Sequence, residues 1–213
     1  MSIRAEIFAL GAQPVEFEHG TPEQNWRLLE RIQSEPLLQA LTASLNPTGG
    51  AGVLVENLNT KFLEMARLFE HHGVKARLIG AYAVAAFGHV RNTKDIDFWV
   101  EASPENAARV FAALQDFGAV GTFSLEKLSH EDNIVHLAGD GWAIDILTGV
   151  RWPKFGACYD RALEVQMADV SLKVVSLEDL IAMKKYAGRP QDLADVAMLE
   201  LRRLELKRAQ DRE

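Results

Sequence analysis

Three carboxylates interrupt two otherwise apolar segments of the chain. Asp95 and Asp97 lie two residues apart in one segment, and Asp145 is the only charged residue within Trp142–Leu147. Side chains alternate between the faces of a strand, so Asp95 and Asp97 point to one face while Ile96 points to the other. If the two strands are neighbours in a sheet, the three carboxylates converge.

Converging carboxylates predict a site for a divalent cation, because like charges repel and an unpaired carboxylate in an apolar run is costly. Mg²⁺ binds in proteins through one or two carboxylates together with substrate phosphate oxygens. Two other interpretations fit a lone strand aspartate: an edge strand whose aspartate faces water, or an ion pair. Arg91 and Lys94 precede Asp95, and each either neutralises a phosphate or pairs with Asp95 or Asp97.

A glycine turn precedes this segment and adds a candidate phosphate site. Gly80 follows a short predicted strand and opens an alanine-rich predicted helix, whose first amides, starting at Gly80 and Ala81, can hold a phosphate. Thr93 is interpreted as a turn residue with a secondary phosphate contact. These features predict that a phosphate-bearing ligand lies beside the carboxylates.

Taken together, the glycine turn, the acidic strand and the later aspartate resemble the nucleotidyltransferase fold shared with the DNA polymerase β superfamily. More narrowly, they are similar to small bacterial enzymes grouped with the abortive-infection toxins of toxin–antitoxin systems. The residues that carry the resemblance are Gly80-Ala81, Arg91-x-Thr93-x-Asp95-x-Asp97 and Asp145.

A second segment resembles the other signature of these enzymes, a helix lysine followed by an arginine and two acids. It contains Lys184, Arg189, Asp192 and Asp195. The two acids are expected to orient the lysine and the arginine rather than to bind metal. The resemblance as a whole covers roughly residues 53 to 200.

The resemblance implies an enzyme that transfers a nucleoside monophosphate from a nucleoside triphosphate such as ATP to a hydroxyl group. Two Mg²⁺ ions are the implied cofactors, with Mn²⁺ as the alternative metal. The implied catalytic and metal-binding residues are Asp95, Asp97 and Asp145. The implied nucleotide-binding residues are Gly80, Ala81, Arg91, Thr93, Lys94, Lys184 and Arg189.

The acceptor stays open at this point. A tRNA 3′ end or a protein side chain fits the toxin-like relatives, which are paired with an antitoxin, and a small alcohol of the aminoglycoside kind fits the resistance enzymes. The alternative is a catalytically inert nucleotide- or protein-binding member of the fold. Gly80-Ala81, where the family usually has Gly-Gly or Gly-Ser, favours this alternative, whereas the three aspartates and Lys184 favour the enzyme.

Capping and periodicity signals predict an α/β (α+β) fold, a small mixed sheet with flanking helices. We expect a mainly helical appendage over residues 1–52, with a helix starting at Thr21 and a linker at Asn46–Gly52. The nucleotidyltransferase-like core follows over 53–175. A helical segment over 176–213 packs on that core.

Composition excludes several classes of protein. Of the 213 residues, 48% are hydrophobic and 25% charged, values typical of a globular protein and not of a disordered one. A net charge of −7 argues against non-specific gripping of nucleic acid. The single Cys158 excludes an internal disulfide, and no apolar run is long enough to span a membrane. We therefore expect a cytoplasmic protein.

Overall fold

The computed structural model describes residues 6–7, 15–16, 59–91, 93–119, 123–167 and 170–211. These residues belong to two compact units, the larger ending at Met183 and the second continuing from Lys184. The second unit also includes an antiparallel pair of two-residue strands, β1 (Glu6–Ile7) and β2 (Val15–Glu16). The helix predicted at Thr21 and the predicted linker at 46–52 lie outside the described residues.

From Thr60 onward, helices and strands follow one another along the chain. In order they are α1 (Thr60–His71), β3 (Ala76–Ile79), α2 (Gly80–Ala86), β4 (Asp95–Val100), α3 (Pro104–Asp116), α4 (Leu125–Ser129), β5 (Ile134–Gly139), β6 (Trp142–Leu147), α5 (Phe155–Tyr159), β7 (Leu163–Met167), β8 (Val170–Val174), α6 (Leu177–Ala187) and α7 (Pro190–Gln210). The boundary between the two units falls within α6.

Six strands form one mixed sheet in the order β5-β6-β4-β3-β8-β7. The pairs β4–β6 and β3–β8 are parallel, and the other neighbouring pairs are antiparallel. The predicted mixed sheet with flanking helices is thereby confirmed. Two features of the sheet matter for function: β4 and β6 are direct neighbours, and they run in the same direction.

The two faces of the sheet differ in what covers them. One face is apolar, since Ile96, Phe98 and Ile144 are buried, and the ring of Phe98 packs edge-on against Phe69 of α1 with centroids 5.1 Å apart. Burying side chains of this size stabilises the fold by about 1.5 to 3 kcal/mol each. The opposite face carries the acidic side chains of Asp95, Asp97 and Asp145, near the start of β4. Farther along β4, Trp99 on that same face packs against α5.

The second half of the sheet was not expected from the sequence. Strands β7 and β8 form an antiparallel hairpin that pairs with β3 through β8. A signal was present, because the buried residues Val170, Leu172 and Val174 alternate with Ser171 and Lys173. That period of two is typical of a strand with one buried face.

Helix α6 begins as the sequence predicts. The Ser176 hydroxyl accepts a hydrogen bond from the Asp179 amide at 3.1 Å and donates to its carboxylate at 2.7 Å. This reciprocal cap satisfies an amide that the first turn of a helix leaves unpaired. In the part of the chain that the structure describes, no helix combines the length and apolar character needed to cross a membrane.

The second unit contains a buried cluster of charges between the end of α6 and the start of α7. Lys184 is 6% exposed, and its Nζ lies 2.9 Å from Oδ1 of Asp192 and 2.8 Å from Oδ2 of Asp195. Both acids are buried as well. Charges removed from water in this way need each other, so the lysine is required for the stability of the two helix ends.

We predict that Lys184→Met lowers the free energy of unfolding by about 3 kcal/mol, because it removes the cation shared by two buried carboxylates. Urea unfolding followed by circular dichroism measures this. Lys185→Met is the matched control, since Lys185 pairs with Glu200, which keeps a second cation in Arg203. An equal, small effect of both variants would contradict a stabilising role for Lys184.

Candidate active site

Three carboxylates meet on the sheet face opposite the buried apolar face. Asp97 of β4 and Asp145 of β6 are direct partners in the parallel register, and Asp95 lies opposite Ala143. One carboxylate oxygen from each aspartate lies within 4.8 Å of the other two, and all three side chains are at least partly exposed. The pairing of β4 with β6 therefore produces the convergence that the sequence predicts.

The chemistry of these donors fits a hard divalent cation. All three are carboxylate oxygens, which Mg²⁺ and Mn²⁺ prefer, and no thiolate or imidazole belongs to the set. Three like charges this close repel one another, and a bound cation removes that repulsion. The exposed position leaves room for water and for substrate oxygens to complete the coordination.

Gly80 is required by its contact with Asp97. It follows β3, whose last residue, Ile79, lies opposite Asp97 in the antiparallel register. Its φ is +68°, and a Cβ placed on it would overlap Oδ2 of Asp97 and lie 2.7 Å from Cγ of the same residue. Only glycine lets the chain turn into α2 so close to this carboxylate. Ala81 is the next residue, and its side chain is buried.

Thr93 contacts Asp95 directly. Its hydroxyl donates a hydrogen bond to Oδ1 of Asp95, and the Asp95 amide lies 3.4 Å from the same hydroxyl oxygen. Thr93 thus orients this carboxylate, a role that the sequence did not indicate. Lys94 is exposed and forms no ion pair with a described residue, while its carbonyl accepts from the Ala143 amide at 2.8 Å. Arg91 is partly exposed in the turn before β4.

His136 is a site residue that the sequence reasoning missed. It lies opposite Asp145 in the antiparallel pair β5–β6, and its Nδ1 is 2.5 Å from Oδ1 of Asp145. The signal was the Asp140-Gly141 dipeptide, which is typical of a two-residue hairpin turn. With that turn fixed, counting back along both strands places residue 136 opposite residue 145.

Tyr82 is a second residue near the site that the sequence did not single out. Its ring packs edge-on against Phe62, with centroids 5.5 Å apart. Burial raises the pKa of the Tyr82 phenol, and the negative charge of Asp95 raises it further. The phenol is therefore protonated at neutral pH and can act as a hydrogen-bond donor.

Lys184 and Arg189 belong to the second unit, and both bind Asp192. Nε of Arg189 lies 2.6 Å from Oδ2 of Asp192, and 76% of the Arg189 side chain is exposed. Burial alone raises the pKa of the Asp192 carboxyl, but hydrogen bonds from Arg189 and Lys184 hold that pKa below its usual range. The acids thus orient both cations.

A cleft of about 430 Å³ lies at the end of β3 away from Gly80, between the end of α1 and β8. None of the three aspartates lines it. Its buried Arg77 donates to the carbonyls of Ala76 and Tyr159 at 2.6 and 2.7 Å and lies 4.0 Å from the Tyr159 ring centroid. Carbonyl dipoles and an aromatic face thus stabilise this cation, while its buried Nε has no hydrogen-bond partner among the described residues.

Comparison with known proteins identifies the family. The model of the family described as "nucleotidyl transferase of unknown function (DUF2204)" matches residues 58–213, most of the chain and all three aspartates. The chain belongs to this family. Among curated proteins, none matches the sequence of this nucleotidyl transferase.

Two solved structures are similar to this nucleotidyl transferase. One is the lincosamide antibiotic adenylyltransferase LnuA bound to lincomycin, with 18% identity and a TM-score of 0.47; 67% of this chain and 96% of that chain are covered. The other is the antibiotic-resistance factor ANT(2″)-Ia, with 14% identity and a TM-score of 0.49; 71% of this chain and 92% of that chain are covered.

For this nucleotidyl transferase we predict that Gly80→Ala both destabilises the fold and weakens Mn²⁺ binding, because the new methyl group displaces the Asp97 carboxylate. Gly73→Ala is the matched control, since Gly73 has a φ of +63° and, apart from its neighbours in the chain, no described heavy atom lies within 4 Å of the place that its new methyl group would occupy. It should cost about 1 to 2 kcal/mol through backbone strain alone. Urea unfolding and calorimetric Mn²⁺ titration measure both effects. Equal results for the two variants would show that Asp97 does not need this space.

Proposed function

We propose that this nucleotidyl transferase uses Mg²⁺ or Mn²⁺, held by Asp95, Asp97 and Asp145, to transfer a nucleoside monophosphate from a nucleoside triphosphate to a hydroxyl group. The observation that carries the proposal is the convergence of three carboxylates on β4 and β6. Family membership supplies the reaction class. The metal, the roles of the individual residues and the acceptor go beyond family membership and belong to this proposal.

The proposed reaction joins the acceptor oxygen to the α-phosphorus and breaks the bond between that phosphorus and the oxygen leading to the β-phosphate. Pyrophosphate leaves, and the acceptor hydroxyl loses its proton. When bound, the divalent metal supplies positive charge to the acceptor oxygen and to the departing phosphates. The aspartates hold that charge at one point, and Asp145 is the proposed acceptor of the hydroxyl proton.

The nucleotide is proposed to lie beside the acidic cluster. Gly80 lies against the Asp97 carboxylate and Ala81 follows it in α2. Arg91 and Lys94 precede β4, where their positive charges suit phosphate oxygens. Thr93 acts in this proposal mainly through Asp95, which its hydroxyl orients.

Lys184 and Arg189 are proposed to contact the triphosphate, as the resemblance implies. Two features bear on this role. Arg189 keeps most of its side chain exposed, which suits a phosphate contact, whereas Lys184 is buried between two carboxylates. We therefore expect Arg189 to contribute more than Lys184 to nucleotide affinity.

The acceptor classes that remain in the proposal are an RNA 3′ end, a protein side chain and a small alcohol. A role as the toxin of a toxin–antitoxin pair rests on the resemblance of the motifs. The rival function is an inert nucleotide- or protein-binding protein, and Ala81 favours it, since alanine lacks the hydroxyl that serine offers in many relatives. Binding without transfer would support that rival.

The test is a transfer assay on the purified chain with Mg²⁺, each labelled nucleoside triphosphate and three separate acceptor pools: total RNA, cell protein and a panel of aminoglycoside-type alcohols. We expect one pool to become labelled. Asp95→Asn, Asp97→Asn and Asp145→Asn should each lower the rate by about 10³-fold, the equivalent of several kcal/mol of lost charge stabilisation.

Asp140→Asn is the matched control, because Asp140 is an exposed acid in the turn that joins β5 to β6 and lies outside the cluster. It should keep the full rate. Removing the metal with excess chelator should abolish labelling of the acceptor. The proposal fails if no pool is labelled and no metal-dependent nucleotide binding occurs, or if the aspartate variants stay as active as Asp140→Asn.

A further inference from the structure

We infer that His136 is a positioning residue that holds the Asp145 carboxylate in the orientation needed to bind the metal. This inference rests on the proposed function, since it gives meaning to a contact with one of the proposed ligands. It adds a residue that neither the sequence motifs nor the metal-binding cluster contains.

The contact is short and its direction follows from elementary chemistry. Nδ1 of His136 lies 2.5 Å from Oδ1 of Asp145. An ionised carboxylate only accepts hydrogen bonds, so Nδ1 carries the proton and donates it. This hydrogen bond holds Oδ1 of Asp145, and rotation of the carboxylate about its terminal bond is restricted.

Strand pairing, and not chance packing, places the imidazole there. His136 and Asp145 are partners in the register of β5 and β6, and the same register pairs Gly139 with Trp142 at the turn. Side chains of residues that face each other across an antiparallel pair lie on the same face of the sheet. His136 therefore lies on the face that carries the acidic cluster, and 61% of its side chain is exposed.

A holding contact has a use at this position. Asp145 faces two other carboxylates, and without a donor its side chain would rotate away from their negative charge. Hydrogen bonds to metal-binding carboxylates from surrounding residues typically change metal affinity or activity by about 10- to 100-fold. Asp95 receives such a bond from Thr93, and His136 supplies the equivalent contact to Asp145.

The test is calorimetric titration of the full chain with Mn²⁺ alone, in the wild type and in three variants at His136. We expect His136→Ala to weaken Mn²⁺ binding by about 10-fold. His136→Asn should stay within about threefold of the wild type, because the asparagine Nδ2 occupies the place of the imidazole Nδ1 and donates the same hydrogen bond. His136→Gln puts its amide one bond farther out and should resemble alanine.

The outcomes separate the inference from the proposed function. If the wild type does not bind Mn²⁺, the metal site fails and the inference fails with it. If the wild type binds and Asp145→Asn does not, but His136→Ala binds as tightly as the wild type, only the positioning role is overturned. Loss of binding in His136→Asn as in His136→Ala, with unchanged circular dichroism, would overturn it in favour of His136 as a direct ligand.

Discussion

The in-register parallel pairing of β4 with β6 is the interaction on which the site depends. It sets Asp97 directly opposite Asp145 and brings Asp95 to the same face, so that oxygens from three carboxylates lie within 4.8 Å of one another. For unit charges at that distance, repulsion is about 1 to 3 kcal/mol per pair at effective dielectric constants of about 80 to 20. The apolar opposite face, with Ile96 and Ile144 fully buried, holds the strands together against this repulsion.

Each aspartate of the cluster depends on a neighbouring residue. Thr93 donates to Asp95, the bare backbone of Gly80 makes room for Asp97, and His136 donates to Asp145. Thr93 directly precedes β4, Gly80 directly follows β3, and His136 lies on β5 opposite Asp145 in the strand register. A site whose charges repel one another needs such restraint, because flexible carboxylates would turn outward to water. The second unit shows the opposite solution, in which Lys184 and Arg189 together offset the charges of Asp192 and Asp195.

The strands differ in how clearly their local sequence patterns predict them. The alternation at the start of Asp95–Val100 is a local signal, and it predicted β4. The Asp-Gly dipeptide before Trp142 is also a local signal, typical of the hairpin turn that joins β5 to β6. The strands β7 and β8 carry a regular alternation of apolar and polar residues, which also predicts strands. The part of the chain before Leu58 contributes only the short pair β1–β2 to the described structure, so its predicted helices stay predictions.

Residue types and their spacing along single segments were enough to predict the acidic strand, the glycine turn, the resemblance to nucleotidyltransferases and the list of candidate ligands. The folded sheet was needed to show that β6 lies next to β4, that Gly80 makes room for Asp97, and that His136 binds Asp145. The physical reason is that strand order and the approach of side chains from separate segments are set by packing across the whole sheet. Local spacing does not contain that information.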